Sequence, residues 1–169
     1  MSRFRIFAAI AISLWSLSAI GLTNDRGETI TIESNSAERD EKTGLTQYQG
    51  NVVIKQGSLI IEADQVTVYY MDNRVSRILC LGLPASYLQQ AADDGSLIIS
   101  KAETIEYLLA DDAINLKTSA QLSRNGTLIK GDSINYDLKN ETWKAKGNNR
   151  GEQKRIQLVI PPSTQGVKD

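Results

Sequence analysis

From residue 29 onward, apolar and polar side chains alternate with a period of two. Thr29-Ile30-Thr31-Ile32-Glu33-Ser34 puts Ile30 and Ile32 on one face. Gly50 to Lys55 and Ser58 to Ala63 follow, carrying Ile54 and the Leu59-Ile60-Ile61 run. Gln65 to Tyr70 aligns Val66, Val68 and Tyr70. The alternation returns in Thr104 to Leu109, where Ile105, Tyr107 and Leu109 share a side. Ala113 to Lys117 pairs Ile114 with Leu116, and Ser133 to Leu138 groups Ile134, Tyr136 and Leu138. Period-two alternation rich in Ile, Val, Thr and Tyr predicts half-buried antiparallel strands. Gln56-Gly57-Ser58, Asp94-Gly95-Ser96 and Asn125-Gly126-Thr127 supply tight-turn chemistry between them. Asp111-Asp112 and Leu138-Lys139-Asn140 read as further turns. No helical period is sustained after the first 21 residues, so the fold class expected is all-β.

A weak repeat runs through these strands. Ile61-Glu62-Ala63-Asp64-Gln65-Val66 matches Ile129-Lys130-Gly131-Asp132-Ser133-Ile134, and Ala102-Glu103-Thr104-Ile105 echoes both; Ala37-Glu38 reads as a fourth, degraded copy. Each unit is a strand, a small residue followed by an acid, and another strand. The small residue lets the chain bend between two strands, as at the corner of a rolled sheet. A dozen or more short strands must roll over to bury their apolar face. Closed tightly, the roll is an ordinary core; open at its ends, the same residues line an apolar trough. The candidate lining is Ile30, Ile32, Ile54, Val66, Val68, Tyr87, Ile105, Tyr107, Leu109, Ile114, Leu116, Ile134 and Tyr136. Periodicity does not separate the two cases, and core packing is the default for any single position.

The start of the chain changes the setting. Arg3 and Arg5 precede an apolar run from Ile6 to Leu17, and Ala19-Ile20-Gly21 offers small residues of the kind signal peptidase prefers. Residues 1–21 are expected to be a secretory signal peptide. A retained anchor is the rival reading, because the apolar stretch reaches Leu22, about 17 residues, the lower limit for a span. Without Arg3 and Arg5 the 19 basic residues fall to 17 against 20 acidic ones, a net charge of about −3. A nucleic-acid partner would need a basic face. Cys80 is the only cysteine, so no intramolecular disulfide can form, and its apolar neighbours predict a buried thiol. There is no histidine, which removes imidazole bases and His-ligated zinc. Asp93-Asp94, Asp111-Asp112 and the acids of residues 38–41 flank turns and lack calcium-loop spacing, so solvated turns are the expected reading. No catalytic residue, metal site or cofactor is expected, and the protein is not read as an enzyme.

Several segments together carry a family resemblance. Gln56 to Val68, with its small-acidic corner at Ala63-Asp64, resembles the LptA (OstA-like) family of periplasmic lipopolysaccharide-transport proteins. Ile30 to Ser34 resembles that family's first mature strand, and Gly82-Leu83-Pro84-Ala85-Ser86-Tyr87 its central Gly-x-Pro-Ala segment. Ile129 to Tyr136 resembles its later Ile-Lys-Gly-Asp repeat, and Leu158 to Pro162 its final strand. The matches span nearly all of residues 29–162. The resemblance implies an open, twisted β-jellyroll of about 16 short antiparallel strands, occupying residues 22–162 ahead of a polar tail, 163–169. It implies a groove that holds the lipid A acyl chains of lipopolysaccharide. Ile30, Ile32, Tyr87, Tyr107 and Leu109 fall at the family's groove positions, and Tyr70 at a looser match. It also implies head-to-tail homo-oligomers in the periplasm, between an LptC-like inner-membrane partner and an LptD-like outer-membrane partner. A membrane-anchored LptC-like jellyroll and a structural β protein that binds no lipid are the alternatives.

Overall fold

A computed structural model of the chain describes residues 25–92, 94–148 and 155–162. The expected signal segment, the polar tail and Asp93 lie outside the described residues. A 3-10 turn, Asp25–Gly27, leads into ten strands: β1 (Thr31–Glu33), β2 (Ser36–Asp40), β3 (Leu45–Gln56), β4 (Leu59–Met71), β5 (Arg74–Gln90), β6 (Leu97–Leu108), β7 (Ala113–Arg124), β8 (Thr127–Asp137), β9 (Thr142–Lys146) and β10 (Gln157–Val159). They form one antiparallel sheet in the order β1-β3-β4-β5-β6-β7-β8-β10, with β2 also on β3 and β9 also on β8. No helix among the described residues is long and apolar enough to cross a membrane.

The all-β expectation holds, but the strand number differs: ten strands are present, not about 16. The reason lies in the six long strands, β3 to β8. Each runs through the bend as one continuous strand, where the sequence pattern suggested two short ones. The pairing slips at the bend, between Gln49 and Val52, Glu62 and Gln65, Leu81 and Ala85, Lys101 and Thr104, and Lys117 and Ala120. These slips divide the sheet into two halves. The first half holds β2, β9 and the stretches 45–49, 65–81, 104–117 and 133–137; the second holds β1, β10 and 52–62, 85–102 and 120–131.

Two contacts prove that the halves face each other. Arg124 pairs with Thr127 across a hairpin, and Tyr136 lies nine residues further along β8. An extended strand would carry Tyr136 roughly 30 Å away. Its hydroxyl nevertheless accepts a hydrogen bond from Arg124 Nη1 at 2.9 Å. Likewise Tyr87 pairs with Ser100 on β6, yet its ring meets that of Tyr107, seven residues on, edge to face at 5.9 Å.

The bend follows from side-chain size. Along the crease, Ala85 pairs with Ala102 and Ala120 with Gly131, and Ala63 stands beside Val52; all five small residues are buried. A larger side chain would hold the facing halves apart. A Cβ on Gly131 would already lie 2.9 Å from the Lys146 carbonyl oxygen. Backbone irregularities supply the rest: Gly50 and Asn51 in β3, and Thr118 and Ser119 in β7, all have positive φ. For β-branched Thr118 that conformation is strained, and the surrounding sheet must hold it. Each bulge uses an odd residue in β4, β6 and β8, so the buried parity changes there. Leu59, Ile61 and Ala63 give way to Val66 and Val68; Ile98 and Ala102 give way to Ile105 and Tyr107. The inner face thus stays apolar around the corner. Ala63, Ala102 and Gly131 occupy the corners that the sequence repeat marks. Ala37-Glu38 does not: it lies in an unbroken ladder with Tyr48 and Gln47, so the fourth copy is no corner.

Replacing Ala102 by Leu is expected to destabilise the fold by about 1–3 kcal/mol through overpacking at the crease. The neighbouring exposed substitution Lys101→Leu should stay within about 0.5 kcal/mol. Urea denaturation of the two variants checks the difference.

Candidate functional site

Cross-strand pairing arranges the inner face into rows that run the length of the sheet. In the second half, one row reads Ile32, Ile54, Ile61, Tyr87, Ser100, Leu122, Ile129 and Leu158, from β1 to β10. The first half carries two. One reads Tyr48, Val66, Cys80, Ile105, Leu116, Ile134 and Ala145; the other reads Thr46, Val68, Ile78, Tyr107, Ile114, Tyr136 and Trp143. Directly opposed side chains of this kind are the packing unit of a sheet. The rows face one another across the fold and make an apolar layer that continues from one sheet edge to the other.

All fourteen candidate lining residues belong to this layer. Ile54, Val66, Val68, Tyr87, Ile105, Tyr107, Ile114, Leu116, Ile134 and Tyr136 are buried, and Ile30, Ile32, Tyr70 and Leu109 are partly buried against them. Leu59, Ile61, Ile78, Cys80, Leu122 and Ile129, which are not among the expected lining residues, are equally buried. Their signal was present as alternation within the same strands, but the change of parity at each corner hid which face they share. Tyr87 is 0% exposed, so the layer is closed at its middle, whereas Trp143 and Leu158 at its edge stay 39% and 43% exposed. Ser100 Oγ is buried there without a hydrogen-bond partner. Among the described residues no group of three or more His, Cys, Asp and Glu converges on a metal position.

Opposite the crease the two halves end in hairpin turns, and this side forms the mouth of the fold. Polar groups occupy it. The Asp25 carboxylate is 5% exposed and accepts hydrogen bonds from Ser58 N at 2.7 Å, Ser58 Oγ at 2.6 Å and Gln89 Nε2 at 2.9 Å, all from the second half. Gly57, with positive φ, lies so near Asp25 that any side chain there would collide with the carboxylate. The Tyr87 hydroxyl donates to Gln89 Oε1 beneath it. Arg26 reaches the other way: Nη2 donates to the Leu109 carbonyl at 3.0 Å and pairs with Asp112 Oδ1 at 2.6 Å, both in the first half. Burial raises the Tyr87 and Tyr107 pKa values, with the charges of Asp25 and Asp112 adding to the rise and Arg26 opposing it.

Further along the mouth, Arg124 of the second half donates to Ser96 Oγ and to Tyr136, each at 2.9 Å, and pairs with Glu141 at 2.8 Å and Asp94 at 3.3 Å. Burial works against its charge, but the Glu141 and Tyr136 hydrogen bonds outweigh that and hold the guanidinium protonated. Hydrogen bonds from Ser96, then Asn125 and the Arg124 charge, keep Asp94 below the usual carboxylate range. Asp94 and Asp112 are therefore ion-paired across or beside the mouth, where the sequence suggested merely solvated turns. Nothing in the sequence marked Asp25, Arg26 or Arg124, because their partners lie 12 to 86 residues away.

Residues 31–142 match the family described as "LptA/(LptD N-terminal domain) LPS transport protein". The chain belongs to that family. Its relatives include the lipopolysaccharide export system protein LptH of Pseudomonas aeruginosa, 31% identical over 159 residues and 90% of each chain. The lipopolysaccharide export system protein LptA of Haemophilus influenzae is 29% identical over 167 residues, 97% of this chain and 95% of that one. The crystal structure of the Pseudomonas protein, described as the LptA-homologous periplasmic component of the conserved lipopolysaccharide transport device, superposes with a TM-score of 0.75 at 29% identity. The superposition covers 83% of this chain and all of that one. The family match ends at Thr142, the first residue of β9.

Cys80 is free and buried at the floor of the layer, as its apolar neighbours predict, and burial pushes its thiol up to about 12. The native state thus holds this proton more tightly than the unfolded chain, whose thiol ionises near pH 9. This group's contribution is complete below about pH 9 and is lost between about pH 9 and pH 12, at no more than roughly 1.4 kcal/mol per pH unit. Urea melts at pH 8 and pH 10.5 should show a smaller alkaline loss in Cys80→Ala than in the wild type; equal losses would assign the effect elsewhere.

Proposed function

We propose that this chain is a periplasmic lipopolysaccharide-binding carrier that bridges inner and outer membranes and moves lipopolysaccharide along a hydrophobic groove for outer-membrane assembly. The observation that carries the reading is the set of inner-face rows, apolar but for Ser100 and Thr46, that together cross the sheet from β1 to β10. A row of this kind offers acyl chains the same surroundings at every step. Burying acyl methylenes contributes on the order of 0.8 kcal/mol each, so binding a multi-acyl lipid needs length and not covalent chemistry. The fourteen lining residues are read as acyl contacts. The names of the relatives, lipopolysaccharide export proteins, support the same role.

Stacking extends the reading. β1 and β2 lie on the free edge of β3, and β9 and β10 on that of β8, so both ends of the sheet present strand edges. Exposed edges pair readily with added strands. Head-to-tail copies, with LptC-like and LptD-like neighbours at the two ends, would then join their rows into one path. Residues 1–21 act in this reading as the leader that delivers the chain to the periplasm. The closed state of the interior favours a second reading, a structural β protein whose apolar layer is only its core.

Titration of the purified protein with lipopolysaccharide, using phospholipid as competitor, separates the two. Saturable binding that phospholipid displaces poorly is expected; no binding by a folded protein would favour the filled core. Within the carrier reading, Ile32→Asp and Leu109→Asp should weaken binding roughly tenfold or more, since a carboxylate in an apolar row costs several kcal/mol. Thr31→Asp, on the outer face, should not. Removing residues 152–169, which include β10, should leave a folded protein that no longer forms long oligomers on a sizing column.

A further inference from the structure

Acyl chains can enter the layer only if the two halves part. At the crease six strands pass continuously from one half to the other, so parting must occur at the mouth. Polar contacts tie the opposing rims there, and one of them is built asymmetrically. At its second-half end, the Asp25 carboxylate is nearly fully buried and receives three short hydrogen bonds from Ser58 and Gln89. Hydrogen bonds to a charged acceptor in so dry a place are strong. At its first-half end, Arg26 holds a carbonyl and the Asp112 carboxylate with side chains 47% and 31% exposed. A pair that open to water is weak and screened by salt. The link is therefore fixed at Asp25 and releasable at Arg26. It lies over the Tyr87–Tyr107 contact, one of the places where the two inner faces touch. Beside Arg26 a cavity of about 660 Å³ opens to the surface, lined among others by Met71, Arg74, Val75, Leu109 and Ala110. It offers an approach to the mouth that is apolar in part and carries two guanidinium groups.

We propose that Asp25–Arg26 is a strap across the mouth, anchored at Asp25 and released at Arg26, whose opening admits acyl chains to the interior. This rests on the carrier reading given above. Arg124, tied to Tyr136 and Glu141, is the second fastening, and its deeper burial makes it the firmer one. Opening accordingly starts at the β3–β6 end and is resisted towards β8.

Cys80 gives a native reporter, because it is the only cysteine and stands at the floor of the layer, paired with Val66 and Ile105. The test is the rate of iodoacetamide labelling of the folded full chain at low salt, with urea melts to correct for labelling through global unfolding. Arg26→Gln and Asp112→Asn should each speed labelling roughly two- to fivefold, the effect expected when an exposed ion pair is lost from a closed state. Raising the salt concentration should speed the wild type, which needs no variant to fold. Arg77→Gln breaks the ion pair with Glu106 within the first half and should change nothing. Unchanged labelling in both strap variants, or an equal increase in Arg77→Gln, overturns the strap. In parallel, uptake of a fluorescent lipopolysaccharide should be faster in the strap variants. Absence of any uptake by the wild type overturns the carrier reading, whereas normal uptake with unaltered rates in the variants overturns the strap alone.

Discussion

The structure depends on getting six long strands to bend at one line without opening the sheet. A continuous ladder resists such a bend, because each strand must shed its pairing at the same level as its neighbours. The chain meets this with a column of small buried residues, Ala63, Ala85, Ala102, Ala120 and Gly131, and with bulges placed beside them. Close approach of the two halves then follows, and so do the edge-to-face contact of Tyr87 with Tyr107 and the polar ties at the mouth. Were the bend displaced by one residue in a single strand, its apolar side chains would face water.

Much of this was legible as pattern. Ile, Val and Tyr at alternate positions named the strands, and Gly57, Gly95 and Gly126 named hairpin turns, each now seen with positive φ. The small-acidic repeat located three of the corners. Ala85 and Ala120 escaped because no acid follows them, and Ala37-Glu38 was misread because an edge strand can carry the same pair with no bend. The strand number was overcounted for a related reason: a change of parity in the sequence looks the same whether a strand ends or merely bulges. The lining residues were recognised as apolar, but their role was not decided, since core and groove have identical periodicity. The polar groups of the mouth were invisible, because Asp25 and Arg26 acquire meaning only when residues 58, 89, 109 and 112 are brought to them.

The division of labour between the two sides of the fold bears on the carrier role. The crease side is held by backbone and has little freedom, while the mouth is held by side chains of unequal strength. A carrier needs an interior that closes without a guest, to spare its apolar surface from water, and that accepts one without unfolding. A hinge of continuous strands facing a polar seam meets both demands. It asks no specific pocket of the interior, and among the described residues the polar interruptions of the layer are few, Ser100 and Thr46 among them.

Placing two terminal strands on one neighbour has a mechanical consequence. β1 and β2 both pair with β3, on either side of its bend, so this end of the molecule exposes two short edges, one from each half. A single exposed edge acts as a swivel, about which an attached body can rotate. Two edges, one from each half, would act as a keyed joint: a body seated on both would have its rotation fixed, and its inner walls would be brought into line with those of the molecule it joined. Alignment of successive interiors would then be a property of the joint, without any contact between the interiors themselves.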